Sequence, residues 1–182
     1  MESRLLLNHQ ALEHTLNRLA FELFEKHGDF QNTAIIALQP RGVLLGRRIV
    51  ERIAELTGVN VPYGELDVTF YRDDFRRREE PLVPAKTNLD FSIEGKRIIL
   101  VDDVLYTGRT VRSGMDAMLD FGRPIQVELM ALIDRRFSRE LPVQPDYIGR
   151  MVDVVKHETV KVHWSEDNSD NKVTLYSSAN NE

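Results

Sequence analysis

The 182-residue chain contains no cysteine, which removes disulfide frameworks and thiolate metal sites from consideration. It has no uncharged apolar run approaching the roughly 18 residues of a membrane-spanning helix. Its first residues lack the pattern of a secretory signal, so the expectation is a cytoplasmic protein with no membrane partner. No Gly-x-x-x-x-Gly-Lys-Ser/Thr or Gly-x-Gly-x-x-Gly run occurs, and ATP hydrolysis and dinucleotide binding therefore lack their loops. His9, His14, His27, His157 and His163 have no zinc-site spacing, and no protein-built metal site is expected. Positive charge is in deficit, with 24 Lys and Arg against 29 Asp and Glu and a net charge of −5. That argues against non-specific nucleic-acid affinity while leaving room for a local basic face.

What is present suits one globular domain over residues 1–182: 42% hydrophobic and 29% charged residues, in a length that can bury a full core and still spare a long loop. The informative stretch is Arg97 to Thr110. Ile98 to Val101 is a continuous aliphatic run without polar alternation, as in a parallel strand covered on both faces, and it predicts an α/β sheet. Asp102 and Asp103 then place two carboxylates where open α/β sheets bind ligands, beyond the strand ends. Carboxylates accept strong hydrogen bonds from sugar hydroxyls. Thr107, Gly108 and Thr110 follow, just ahead of an amphipathic run from Val111 to Phe121 that reads as a helix. The loop thus feeds a helix amino terminus, where free N–H groups and the helix dipole can hold a phosphate. Acids for a sugar and amides for its 5-phosphate make this a ribose-5-phosphate cradle.

Elsewhere, Leu12, Leu16, Leu19, Ala20, Leu23 and Phe24 recur at helical spacing within Asn8 to Lys26, with His27-Gly28 as the stop. Thr33 to Leu38 reads as a strand, Gln39-Pro40-Arg41-Gly42 as a loop and Val43 to Thr57 as a helix, with Arg47, Arg48 and Arg52 expected on its solvated face. A strand is expected from Val61 to Glu65, and Asp67 to Tyr71 alternates like another. Residues 72–94 are polar and broken by Pro81 and Pro84, too long a loop to be mere connection. Their triplet Arg76-Arg77-Arg78 suits either a ligand contact or a solvated charge run. Gln126 to Ile133 reads as a buried strand ending at Asp134, and residues 159–164 and 172–176 alternate like antiparallel strands around a polar turn.

The run Val101-Asp102-Asp103-Val104-Leu105-Tyr106-Thr107-Gly108-Arg109-Thr110 resembles the phosphoribosyl-diphosphate (PRPP) motif of type I phosphoribosyltransferases. It is most similar to that of the PyrR family of pyrimidine operon regulators and uracil phosphoribosyltransferases. Gly64 to Asp74, Asp120 to Pro124, Arg139-Glu140-Leu141-Pro142 and Asp146 to Gly149 resemble the same family, so the likeness covers nearly the whole chain.

The resemblance implies a type I phosphoribosyltransferase fold: a central, mainly parallel sheet flanked by helices, a flexible flap at about 72–94 and a small hood that includes the strands of 159–176. It implies a reaction in pyrimidine salvage, uracil plus PRPP to UMP plus diphosphate, with Mg²⁺ bound mainly through PRPP. The PRPP ligands it implies are Arg41, Gly42, Asp102, Asp103 and Val104 to Thr110. Asp102, Asp103 and Arg72 would carry catalysis, and Asp134, Arg135, Arg136 and Phe137 would face the nucleobase. The family also forms homo-oligomers, dimers and larger, and binds pyrimidine-operon leader RNA as a transcriptional attenuator responding to UMP or PRPP. Asn17, Arg18 and Arg139 are the RNA candidates here. At two places the chain departs from the family pattern: Asn17-Arg18-Leu19-Ala20-Phe21 replaces Thr-Arg-Ile-Ala-His, and Arg136-Phe137-Ser138 replaces Gly-His. A purine phosphoribosyltransferase remains the further alternative, since the PRPP motif is shared across type I enzymes.

Overall fold

The computed structural model describes residues 2–73, 85–155 and 157–177. Five parallel strands form the main sheet in the order β3-β2-β4-β5-β6: β2 Thr33–Leu38, β3 Tyr63–Leu66, β4 Arg97–Leu105, β5 Gln126–Arg136 and β6 Tyr147–Asp153. β2 is buried along its whole length and β4 from Ile98 to Asp103, which explains why both read as unbroken apolar runs rather than alternating ones.

Helices cover the sheet on both faces. α1 (His9–His27) starts where the Asn8 side chain accepts from the Ala11 amide at 2.8 Å, and ends where the Gly28 amide donates to Phe24. Its buried stripe of Leu12, Leu16, Leu19, Ala20 and Leu23 packs beside α2 (Gly42–Thr57) over Ile35, Ile99 and Val101. α3 (Arg109–Met118) closes a second core on Ile36, Leu38, Ile98 and Leu100. Truncating a fully buried leucine such as Leu16 in such packing costs about 2–5 kcal/mol. Beside this body an antiparallel sheet of β1 (Glu2–Leu7), β8 (Lys172–Ser177) and β7 (Glu158–His163) forms the hood.

The structure corrects three expectations. Asp67 to Tyr71 is no second strand: Asp67 Oδ1 accepts from the Thr69 amide and hydroxyl at 3.0 and 2.6 Å, turning the chain into a single-turn 3-10 helix at Thr69–Tyr71. Arg47, Arg48 and Arg52 are no plain solvated face. Arg52 reaches across to Glu13 and Asn17 of α1, Arg48 lies 4.6 Å over the Trp164 ring and Arg47 pairs with Glu65. β5 runs past Ile133 to Arg136, so Asp134 and Arg135 belong to the strand itself. Of the expected flap, Arg76-Arg77-Arg78 and their neighbours from 74 to 84 lie outside the described residues. Its returning arm is described and is tied to the edge of the sheet: Asn88 bridges Glu65, Thr87 Oγ1 accepts from the Asp67 amide, and the Ala85 amide donates to Asp67.

Candidate active site

Asp102 and Asp103 sit in the last turn of pleat of β4, the middle strand of the sheet, and both are nearly buried. Burial, and then the charge of Asp103, raises Asp102 to about 7. Burial also raises Asp103, against the pull of the Arg41 guanidinium. Two carboxylates forced together in a low-dielectric wall resist ionising together. Asp103 Oδ1 has no hydrogen-bond partner, a group that ordinarily signals a missing one.

β4 ends at Leu105, and the chain passes through Tyr106, Thr107 and Gly108 into α3. Gly108 takes φ +91°, and no side chain caps the helix behind it. Of its first-turn amides, that of Arg109 donates to Thr107 Oγ1 at 3.4 Å, and those of Thr110 and Val111 are available to an anion. A Cβ at Gly108 would also press on Val143 at 3.3 Å. Across the cleft, β2 gives way to Gln39 and Pro40, joined by a cis peptide, then to Arg41 and α2. The Gln39 side chain donates to the Lys86 carbonyl at 2.9 Å, which pins this turn to the returning arm of residues 85–88.

Arg41, Arg72, Asp102 and the run Val104 to Thr110 line one cleft of about 490 Å³. Gly42 and Asp103 form its backing rather than its surface. Arg72 extends toward Thr110 Oγ1 at 3.4 Å, and together with Arg41 it draws down the Asp102 value. The Arg109 side chain is committed elsewhere, to Asp73 and to Glu140; only its backbone serves the loop. Leu38, Gln39, Val68 and Thr69 complete the cleft. Leu38 and Gln39 enter with the loop of Arg41, whereas Val68 and Thr69 were not foreseen, because they follow β3 and reach the cleft through its parallel pairing with β2, which no local pattern encodes.

The four nucleobase candidates separate. Asp134, Arg136 and Phe137 line an adjoining groove of about 520 Å³ together with Arg139. Arg135 turns away from it, buried, with its guanidinium 3.9 Å over the Tyr106 ring. Arg136 makes a two-pronged pair with Asp153, at 2.6 and 2.8 Å, and Phe137 is 87% exposed. The RNA candidates are engaged within the fold: Asn17 accepts from Arg52, Arg18 donates to the Ile148 and Gly149 carbonyls at 2.7 Å, and Arg139 holds Asp134 and the Tyr106 carbonyl.

A strand-end acid pair beside an uncapped helix start suits a phosphorylated sugar, and comparison with other proteins agrees. The phosphoribosyl transferase domain family matches residues 4–167. The Bifunctional protein PyrR of Elusimicrobium minutum is 44% identical over 94% of this chain and 96% of its own length. That of Halalkalibacterium halodurans is 42% identical over 95% and 97%. Among solved structures, a hypoxanthine-guanine phosphoribosyltransferase from Bacillus anthracis superposes with a TM-score of 0.64 at 18% identity, covering 84% of this chain and 85% of that one. One from Leishmania tarentolae in complex with GMP gives 0.65 at 17% identity over 82% and 81%. At such identities these structures attest the fold alone. The chain belongs to the phosphoribosyltransferase family and, within it, to the PyrR proteins.

Proposed function

We propose that the chain transfers the 5-phosphoribosyl group of PRPP to uracil, giving UMP and diphosphate. The observation that carries this reading is the adjacency of the acid pair, Asp102 at the cleft surface with Asp103 behind it, to the start of α3, whose capping residue Gly108 makes no side-chain bond. The acids accept hydrogen bonds from the ribose 2- and 3-hydroxyls, and the amides and hydroxyls of Leu105 to Thr110 hold the 5-phosphate. Arg41, across the cleft, and Arg72, beside Thr110, offset the charge of the departing diphosphate. As the C1–O bond breaks, positive charge grows on the ribose ring and the buried carboxylates stabilise it. Uracil N1 then forms the new bond, with its proton passing to solvent or to the leaving diphosphate. No dedicated general base is needed, and the rate comes mainly from positioning.

The donor set fits Mg²⁺ carried by the substrate. No cluster of three metal-ligating side chains occurs among the described residues; Mg²⁺ would be held mainly by oxygens of PRPP, with the Asp102 carboxylate on the cleft wall to accept from its waters. Bound there, Mg²⁺ would neutralise charge on the diphosphate.

The test is the initial rate of nucleotide formation from PRPP, Mg²⁺ and labelled uracil, with hypoxanthine and guanine in parallel. UMP formation is expected. Preference for a purine would overturn the choice of base, and binding of PRPP with no turnover would make the cleft a sensor. The relatives' name, bifunctional, favours a second activity on the same chain, attenuation through pyrimidine leader RNA. A gel-shift titration at low salt tests it, since phosphate contacts weaken as salt rises.

A further inference from the structure

The loop after β5 and the phosphate loop after β4 are fastened together residue by residue. Arg139 donates to the Tyr106 carbonyl through one guanidinium nitrogen and pairs with Asp134 through the other. The Glu140 and Leu141 amides both donate to the Thr107 carbonyl, at 3.0 and 3.2 Å. The Glu140 carboxylate accepts from Arg109 Nε at 2.7 Å, and Arg135 covers the Tyr106 ring.

An anion-binding loop must turn its N–H groups toward the ligand and its carbonyls away, because a carbonyl oxygen facing a phosphate repels it. In this chain the carbonyls of Tyr106 and Thr107 are both taken up by the loop after β5. Of these fastenings the Glu140–Arg109 pair is half-exposed and contributes little. Arg139 is the partly buried one, with its side chain 22% exposed, and its bond to Tyr106 is charge-assisted.

We propose that Arg139 is a positioning residue for the 5-phosphate: anchored by Asp134, it holds the Tyr106 carbonyl outward and so keeps the loop amides aimed at the phosphate. This rests on reading the cleft as the PRPP site. It gives Arg139 a task within the transfer reaction, apart from any contact with RNA.

Titration calorimetry with ribose 5-phosphate and, separately, with uridine tests it, on wild type, Arg139→Ala, Arg139→Lys and Asp134→Asn, each checked by thermal melting. Arg139→Ala should weaken ribose 5-phosphate about tenfold, as expected for a lost hydrogen bond to a charged group, while uridine, which has no phosphate, shifts far less. Arg139→Lys should recover part of the loss, since an ammonium reaches one partner but not both. Asp134→Asn should lose less than Arg139→Ala. Should Arg139→Ala fail to fold, the Lys and Asn variants decide. Folded variants that bind ribose 5-phosphate like wild type overturn the proposal alone. A wild-type chain that does not bind ribose 5-phosphate overturns the reading of the cleft and the proposal with it.

Discussion

Gly42 rests directly on the Val101 carbonyl: a Cβ on this glycine would stand 2.2 Å from that oxygen. The contact brings the start of α2 against β4 one residue before the acids. Backbone cannot swing aside as a side chain can, so Gly42→Ala must push α2 and the Arg41 turn outward. The expected cost is about 1–3 kcal/mol of stability, the range of an overpacked core, with a raised KM for PRPP as Arg41 moves away from Asp102. Thermal melting and steady-state kinetics check both, and a variant unchanged in each would show that the turn is not held here.

Asp102 carries a charge that the fold opposes. Its folded value, about 7, is above that of the unfolded chain, so its contribution to stability is complete below the unfolded value and is lost as pH rises through about 7. Asp102→Asn should therefore be more stable than wild type near pH 8, by on the order of 4 kcal/mol, with the difference vanishing toward pH 4. The site keeps a carboxylate there at the expense of stability, a trade common at functional positions. The acid limb of kcat/KM for PRPP should rise with an apparent value near 7. In Asp103→Asn, which removes the second cause of the raised value, that limb should move to lower pH. A limb that stays in place would break the assignment.

Glu128 behaves in the opposite sense. Burial pushes it upward, but the Tyr147 hydroxyl and the Lys26 ammonium, 3.0 Å away, outweigh burial and leave it below the usual carboxylate range. His27, kept neutral by burial, completes the network at 3.1 Å. A depressed carboxylate contributes stability above its unfolded value and loses it as pH falls. Glu128→Gln should thus cost about 1–3 kcal/mol at neutral pH, the penalty of leaving buried partners unsatisfied, and progressively less toward pH 4. Glu128 lies toward the start of β5, far along the strand from Asp134, so KM for PRPP should not move. A change in KM without a change in melting temperature would contradict this.

The parts of the fold legible in the sequence were those written locally. β4 announces itself because a strand buried on both faces must be apolar throughout, and the cradle follows because strand, acids, glycine and helix start are consecutive residues. β6 was missed: as an edge strand it buries only Tyr147 and Val152, leaving Arg150 and Met151 exposed, so it carries no run and little alternation. β1 was missed for a related reason, as Glu2–Leu7 becomes a strand only by pairing with β8 from the far end of the chain. The same holds at the site. Arg41 could be placed from its own loop, but the grip of Arg139 on Tyr106 joins residues 33 apart, and only the parallel register of β4 and β5 brings them together.

Phe137 stands at φ +62° and 87% exposed. A left-handed backbone costs a β-carbon residue about 1–2 kcal/mol, and an exposed ring returns almost nothing through packing; the Arg136 guanidinium lies 5.4 Å from the ring, on the surface. Phe137→Gly would relieve that strain and lose about 0.5–1 kcal/mol to added freedom of the unfolded chain, so its melting temperature should be at or slightly above that of wild type. If the ring stacks on the nucleobase from the rim of the groove, the variant should raise KM for uracil about tenfold, the order expected for one aromatic–base stack, with KM for PRPP unchanged. Both constants unchanged would mean that Phe137 touches neither substrate, and recognition of the base would then fall to Asp134 and the backbone around it.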